Sequence, residues 1–271
     1  MAKITVQELN AMQKDLCDSL VTDTEKMAKI MKQYTFKSDV FHRYTLRNFI
    51  LASGQLFART GETAEVLAPY KRWRHDKVNR YVKKGESALW ILAPIKKKVG
   101  EDEDDEPVYK TWFKRVPVFD LSQTDGEPFI PDFVSGKSEM TFKEICDKLP
   151  MEIRESQKTV TRGYTDGEKI WISRNMGEEK KISVLFHELA HFKLHFNGEK
   201  LEKGLKELEA EAISYMCSSA LGIYDEESSA YINSWVKENP AEAIKGRGSR
   251  LIKCAEEILR DIGVVVEDKE D

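Results

Sequence analysis

The sequence predicts an α+β protein of two domains: an N-terminal domain of helices and an antiparallel sheet, and a C-terminal, mostly helical domain with a small sheet. Three observations support this prediction. Two strand-like segments follow amphipathic helices in the first half, long helical periods dominate the second half, and a stretch rich in proline and glycine separates the halves. A chain of 271 residues is long enough for two domains that each bury a core.

Composition excludes several classes of protein. The net charge is only -4, so any affinity for nucleic acid must come from local patches. No apolar run approaches the roughly eighteen residues needed to cross a bilayer, and the N-terminus has no apolar secretory core. The four cysteines form no CxxC pair, which indicates reduced thiols rather than metal ligands. We therefore expect a cytoplasmic protein without membrane contacts.

Helices are predicted at the start of the N-terminal domain. Apolar residues at near-helical spacing between residues 6 and 31 indicate one or two amphipathic helices that pack against their surroundings. The next segment, residues 41–57, mixes basic, aromatic and amide side chains on a predicted helix.

Basic residues are concentrated between Lys71 and Lys84, with Trp73 and Tyr81 among them. Cations that neutralise phosphates, interleaved with flat rings on which bases stack, are typical of proteins that bind single-stranded nucleic acid. A solvated charged surface has a similar composition. Composition alone therefore supports both interpretations equally.

Two strands are predicted after this basic region. Residues 87–94 are mostly apolar, as in a buried strand, and residues 108–121 have an alternating character. Between them lie three consecutive lysines at 96–98 and the acidic run 101–106. We interpret this charge block as a solvated hairpin tip and assign it no function.

The boundary between the domains is predicted from residues 124–138, which contain two prolines, two glycines and no helical period. We therefore predict a first domain at residues 1–125, a linker at 126–138 and a second domain at 139–271. In the second domain, helices and two strands are expected, and a helix at about 178–195 carries the chemistry described next.

The pattern His187-Glu188-Leu189-Ala190-His191 lies inside this apolar helix. Residues four apart on a helix share a face, so His187 and His191 can offer two imidazole nitrogens to one tetrahedral zinc ion. This is the HExxH arrangement of zinc hydrolases, in which the metal lowers the pKa of a water and the glutamate, here Glu188, takes its proton. The alternative is a buried helix that carries two histidines by chance.

A catalytic zinc ion needs a third protein ligand, and three residues are candidates. His195 lies one more turn along the helix, which is too far from the metal, so we interpret it as a residue that supports a ligand or packs beneath it. Glu207 and Glu211 lie one turn apart on one face of the next predicted helix, residues 205–221. We choose Glu211 as the third ligand and keep Glu207 as the reserve.

Several motifs occur in the order found in a known family, and on them the chain resembles the ArdC-type antirestriction proteins of conjugative plasmids and related mobile elements. The C-terminal half looks like the zincin peptidases of the ImmA/IrrE type, through the HExxH motif, Glu211-Ala212 and Leu221-Gly222-Ile223. The N-terminal half is similar to the single-stranded-DNA-binding domain of the ArdC type in four segments: FHRYTLRN at 41–48, VKKGE at 82–86, ILAP at 91–94 and VFDLSQT at 118–124.

The resemblance implies a protein that binds single-stranded DNA and carries a zinc (Zn2+) metallopeptidase site, whose substrate would be a DNA-bound host protein. It supports Glu211 as the third ligand. One departure is that the family's glycine-arginine turn after the tryptophan is replaced here by the longer segment 74–80, so the contacts near Trp73 differ from the family pattern. The DNA-binding residues it implies are Arg43, Tyr44, Arg47, Asn48, Trp73, Lys83 and Lys84.

Two other functions fit the same residues. One is a regulatory protease of the ImmA/IrrE type that cleaves a repressor. The other is a protein that only shields DNA, with an inactive or structural zinc domain. We expect the DNA-directed metallopeptidase and keep these two functions as alternatives.

Overall fold

The structure is a computed structural model that describes residues 4–35, 41, 44–101, 106–129, 140–157, 161–196, 198–239 and 241–265. The chain forms two compact units, and helices with small sheets confirm the predicted α+β class. The first unit comprises Met1–Leu16 and Asp39–Ile130, and the second comprises Cys17–Ser38 and Pro131–Asp271. Most of the predicted linker lies outside the described residues.

Two helices open the described chain, α1 (Val6–Leu20) and α2 (Thr24–Tyr34). The division between the units falls within α1, so residues 17–38 belong to the second unit, although the sequence prediction placed them in the N-terminal domain. The reason is visible in α2, where the Tyr34 hydroxyl donates to a buried carboxylate oxygen of Glu256 at 2.5 Å. Sequence order alone does not reveal such a contact.

The first unit continues with helix α3 (Leu46–Thr60). It begins at Thr45, whose side chain accepts the amide of Asn48, and ends at Gly61, where a φ of 79° requires the left-handed conformation that glycine adopts without strain. Five strands follow, and all their pairings are antiparallel: β1 (Leu67–Ala68), β2 (Arg80–Val82), β3 (Leu89–Glu101), β4 (Pro107–Asp120) and β5 (Thr124–Gly126).

One sheet has the order β1-β4-β3, so β3 is an edge strand, and α3 covers its base. Asn48 accepts the Leu92 amide at 3.1 Å and donates to its carbonyl at 2.8 Å. Gln55, two turns along, does the same for Trp90 at 2.9 and 2.7 Å. The two amide side chains therefore form hydrogen bonds with the edge backbone of β3 that a neighbouring strand would otherwise form.

The second unit contains a three-stranded sheet and the helices around it. The elements after β5 in chain order are α4 (Phe142–Lys148), β6 (Glu152–Ser156), β7 (Gly163–Thr165), β8 (Lys169–Ser173), α5 (Glu178–Leu194), α6 (Lys203–Ala220), α7 (Glu226–Glu238) and α8 (Gly248–Asp261). Strand β7 pairs antiparallel with β8, β6 pairs parallel with β8, and β7 therefore forms an edge of the order β6-β8-β7.

Helices α5 and α6 form the centre of the second unit. Phe186 and Leu189 of α5 are fully buried, as is Ile213 of α6. Small polar residues lie where the two helices meet, and the Ser214 hydroxyl donates to the Ser183 carbonyl at 2.8 Å. This packing leaves the face of α5 that carries His187 and His191 turned towards the first turns of α6. Within the described ranges, no helix has the length and apolar character to cross a bilayer.

Candidate metal centre and nucleic-acid interface

His187 and His191 present their Nε2 atoms to each other at 3.0 Å, one turn apart on α5. A carboxylate oxygen of Glu207, from α6, lies 3.4 Å from Nε2 of His187 and 3.7 Å from Nε2 of His191. Two ligands at about 2.1 Å from one tetrahedral ion are about 3.4 Å apart, so these separations fit a shared cation. Among the described residues, these three side chains form a group whose donor atoms all lie within 4.8 Å.

Glu211, the ligand chosen from the sequence, occupies a different position. Its Oε1 lies 3.2 Å from Nδ1 of His187, the nitrogen that faces away from His191, and its Oε2 accepts the Ser228 hydroxyl at 2.5 Å. The structure therefore brings the reserve, Glu207, to the nitrogens that would share a metal. One turn of α6 separates the two glutamates, and that turn places Glu211 behind the His187 ring. There it fixes the ring's orientation, as carboxylates beside metal-binding histidines do.

Charge at this centre favours a cation. Burial lowers the pKa of His187, but hydrogen bonds with Glu207 and Glu211 outweigh burial and raise it to about 10. The same contacts with His187 and His191 hold the pKa of Glu207 far below its ordinary value. Two carboxylates thus stabilise positive charge next to two imidazoles. A nitrogen, nitrogen and oxygen donor set in this field fits a divalent metal.

Glu188 lies beside the metal candidates and is 7% exposed. Burial raises the pKa of its carboxyl group. Edge strand β7 passes so close that a Cβ added at Gly163 would lie 3.0 Å from Oε1 of Glu188 and 2.8 Å from Val184. Glycine is therefore needed at position 163 for the strand backbone to reach the glutamate.

Two clefts of about 520 Å³ each meet at His187 and Glu188, and both are bordered by Gly163. One extends towards Glu211, Ser228 and Tyr231, and the other towards His191, Glu207 and Phe196. Openings on both sides of the catalytic candidates suit an extended substrate that passes along β7.

His195 supports His191 from inside the unit. Its Nδ1 lies 2.8 Å from Nδ1 of His191, and its Nε2 lies 2.9 Å from Oε2 of Glu209. Glu209 is fully buried and its other oxygen accepts a guanidinium hydrogen of Arg247 at 2.7 Å. Burial raises the pKa of Glu209, but the hydrogen bonds from His195 and Arg247 outweigh it and lower the pKa. An ionised Glu209 favours the tautomer of His195 that accepts from His191, which leaves Nε2 of His191 available for a metal.

Replacing Glu209 with glutamine is expected to weaken divalent-metal affinity by roughly 10- to 100-fold, because the chain of hydrogen bonds that orients His191 loses its charge. Competition with a fluorescent chelator, using Zn2+ and Mn2+, measures the change. The matched control is Glu199→Gln, because Glu199 also pairs with Arg247 but is partly exposed, whereas Glu209 is buried against His195. A folded Glu209→Gln variant that binds metal as tightly as the wild type would contradict the role of His195.

The predicted DNA-binding residues are not all at the surface. Trp73 is fully buried, with its ring centroid 4.8 Å from that of Phe41, and Asn48 is 9% exposed and bonded to β3. Neither can contact a DNA strand in this structure. Arg43 lies outside the described residues, Tyr44 and Arg47 are partly buried, and Lys84 is exposed. Lys83 is also half-exposed, although its Nζ donates to the Ser122 carbonyl at 2.8 Å.

The structure exposes aromatic side chains that the sequence prediction did not select. Tyr109, Trp112 and Phe113 of β4 are 58%, 54% and 48% exposed. The sequence predicts a strand of alternating character over 108–121, which the structure confirms, but it assigns these rings no function. The lysines around them were a usable signal, because a strand that mixes aromatic and basic residues next to a charged tip does not resemble a buried strand.

Comparison with known proteins agrees with this geometry. Residues 146–234, which include the HExxH helix, match the peptidase M78 family, described as the IrrE N-terminal-like domain. The chain as a whole has the fold of the antirestriction protein ArdC. This confirms the resemblance found in the sequence. No curated protein sequence matches the chain.

The likeness to ArdC covers nearly the whole chain. The metal-free crystal structure of ArdC from plasmid R388 matches with a TM-score of 0.54 and 19% identity, over 92% of this chain and 97% of that one. The Mn(II)-bound structure of the same protein matches with a TM-score of 0.53 and 18% identity, over 93% and 98%. The shared fold includes both units.

Proposed function

We propose that the chain is an antirestriction-type protein of a mobile genetic element, which binds single-stranded DNA and carries a metallopeptidase site directed at a DNA-bound host protein. The observation that supports the enzymatic part is the meeting of His187, His191 and Glu207 beside a buried Glu188, in a cleft bordered by an edge strand. The peptidase-family match over residues 146–234 supports the same assignment.

His187, His191 and Glu207 would hold the metal, with Glu211 and His195 orienting the two imidazoles. When bound, a divalent ion such as Zn2+ or Mn2+ polarises a peptide carbonyl and lowers the pKa of water. Mn(II) is present in one of the structures of R388 ArdC, which supports a divalent ion of this type here.

Glu188 accepts the proton of the attacking water and passes it to the leaving amine. Its raised pKa suits this work, because a general base is most effective when its pKa approaches the operating pH. The backbone of β7 at Gly163 would bind an extended peptide by strand addition, directly over Glu188. Burial, followed by the charges of Glu207 and Glu211, raises the pKa of Tyr231, so its hydroxyl stays protonated and is able to donate a hydrogen bond to a developing oxyanion.

Single-stranded DNA binding is assigned to the first unit, since its fold is that of the N-terminal part of ArdC and its sequence resembles the ArdC DNA-binding segments. We expect the purified protein to contain a divalent metal and to bind an oligothymidylate with an affinity that falls as salt rises. Counterion release from a single strand gives a slope of about -0.7 in log K against log salt for each phosphate neutralised.

Metal analysis and fluorescence-anisotropy titrations at several salt concentrations test both parts on one sample. The control is a duplex oligonucleotide of matched length, which should bind more weakly because its bases remain stacked. Absence of single-strand binding, or an affinity that does not respond to salt, would contradict the DNA-binding part. A protein that binds single-stranded DNA but contains no divalent metal would contradict the metallopeptidase part and support the shielding alternative instead.

A further inference from the structure

The outer part of the β3–β4 hairpin extends well beyond the packed core. We call residues 94–101 and 107–114 the distal hairpin. The two strands have 13 and 14 residues, whereas strands of about five or six are usual. All residues from 107 to 114 are exposed, and on β3 exposure begins at Pro94. A two-stranded ribbon gains little stability by itself, so the core does not explain this length.

Large aromatic rings on the distal hairpin face solvent. Tyr109, Trp112 and Phe113 are each about half-exposed or more, and Val99 and Val108 are also exposed. Exposed apolar groups that cluster rather than scatter mark a surface that binds something. The question is which ligand suits the rings.

Lysines surround these rings on both faces. Alternate residues share a face of a strand, so Trp112 lies between Lys110 and Lys114 along β4. The register pairs Lys110 with Lys97 and Trp112 with Ile95, which adds a further lysine diagonally opposite the indole. One face of the distal hairpin therefore consists of an exposed indole bordered by three ammonium groups.

The other face repeats the arrangement. Tyr109 pairs with Lys98 and Phe113 pairs with Pro94, while Lys96 lies between them on β3. Two rings and two lysines are thus presented on this side.

The pairing of Lys97 with Lys110 indicates the charge of the ligand. Like charges directly opposite each other destabilise an antiparallel pair, so this pair weakens the free hairpin. A phosphate bound between the two ammonium groups would convert the repulsion into attraction. Rings that stack with bases and cations that neutralise phosphates together fit a single-stranded nucleic acid, whereas a duplex keeps its bases stacked and offers only its backbone.

We propose that the distal hairpin is the surface that binds single-stranded DNA, centred on Trp112. This rests on the proposed function and replaces the region around the buried Trp73 as its binding surface. The strand lies across the β4 face between Lys110 and Lys114, with bases stacked on Trp112 and, around the edge, on Phe113.

The acidic residues Glu101 and Glu106, at the outer end of the distal hairpin, limit where the DNA binds. Glu106 is six residues from Trp112, which is about 20 Å at the rise of a β-strand. The Debye length at physiological salt is about 8 Å, so the charge of Glu106 is largely screened at the indole and less screened at Tyr109, which is about 10 Å away. The acids therefore direct the strand towards the Trp112 end of the hairpin.

The experiment measures oligothymidylate affinity for the wild type and three variants of the full chain. The ring variant is Trp112→Ala with Phe113→Ala, and each stacked ring is worth roughly 5- to 150-fold in affinity. The charge variant is Lys97→Gln with Lys110→Gln, which should reduce the salt slope by about 0.7, because the one phosphate between the two ammonium groups is lost. The matched control is Tyr81→Ala, an equally exposed ring in the basic region chosen from the sequence.

We expect the ring variant to lose at least about tenfold in affinity and the Tyr81 control to bind like the wild type. Circular dichroism shows whether each variant is folded. If the ring variant is unfolded, the affinity and salt slope of the charge variant test the proposal instead. A wild type that binds no single strand refutes the proposed function itself. A wild type that binds, together with ring and charge variants that bind as tightly and with the same salt slope, overturns only the hairpin proposal. Loss of self-association in the ring variant, with unchanged DNA affinity, would identify a second copy of the chain as the ligand and would likewise overturn it.

Discussion

Replacing Glu188 with glutamine is expected to lower the rate of peptide cleavage by roughly 10²- to 10⁴-fold while divalent-metal affinity is retained. Glutamine has the shape of glutamate but cannot accept a proton from water at neutral pH. His187, His191 and Glu207 keep their positions, because Glu188 is not among the atoms that meet at the metal candidate. Cleavage of a fluorescently labelled, unfolded casein, with added Zn2+ or Mn2+ and with oligothymidylate present, measures the rate.

The matched control is Glu179→Gln, which makes the same change on an exposed residue in the first turn of α5. It should leave both cleavage and metal affinity unchanged. A Glu188→Gln variant that cleaves as fast as the wild type would exclude the general-base role, and a variant that loses its metal would show that Glu188 is part of the binding set.

The same substitution should not destabilise the protein. Burial raises the pKa of Glu188 above that of the unfolded chain, so the ionised carboxylate costs folding free energy at pH values above its unfolded pKa. Glutamine removes that cost. The thermal midpoint of the metal-free variant should therefore equal or exceed that of the wild type at neutral pH, which also separates loss of activity from loss of folding.

The metal helix was predictable because its chemistry is local. The sequence places the helix at about 178–195, and the structure has Glu178–Leu194. Spacing of four residues puts His187 and His191 on one face of any helix, whatever packs against it. The role suggested for His195, a support for a ligand or a packing residue, agrees with its contact to His191.

The proposed DNA-binding surface is harder to predict because exposure depends on tertiary packing. Trp73 lies in a basic segment, and nothing in that segment shows that its ring packs against Phe41. Asn48 lies on a predicted helix beside basic residues, but its amide satisfies the edge of β3, a strand more than forty residues away in sequence. The exposed rings of β4 were missed for the opposite reason. An alternating strand is expected to bury one face, but β4 buries neither face between residues 107 and 114.

The third ligand shows the limit of helical periodicity. Glu207 and Glu211 share a face of α6, so both point towards α5, and spacing alone cannot tell which reaches the two Nε2 atoms. The choice depends on how far α6 is shifted along α5. That shift is set by the loop between the helices and by packing around Ser183 and Ser214, neither of which has a sequence signature.

Replacing Glu207 with glutamine is expected to weaken metal affinity by roughly 10³-fold, because one of three charged or imidazole ligands is lost and each supplies about 4 kcal/mol of a typical zinc affinity. Glu211→Gln should cost only about 10- to 100-fold, because Glu211 orients His187 through Nδ1 without sharing the metal. Titration of each metal-free variant with Zn2+ and Mn2+ against a competing chelator measures both affinities.

The two variants control for each other, since they make the same substitution one turn apart on the same helix. A larger loss in Glu211→Gln than in Glu207→Gln would restore the ligand chosen from the sequence and would mean that the His187 ring turns when metal binds. Equal, small losses would mean that neither carboxylate is a ligand. A larger loss of metal affinity in Glu207→Gln than in Glu211→Gln is expected because the position of α6 along α5 determines which of the two glutamates reaches the metal.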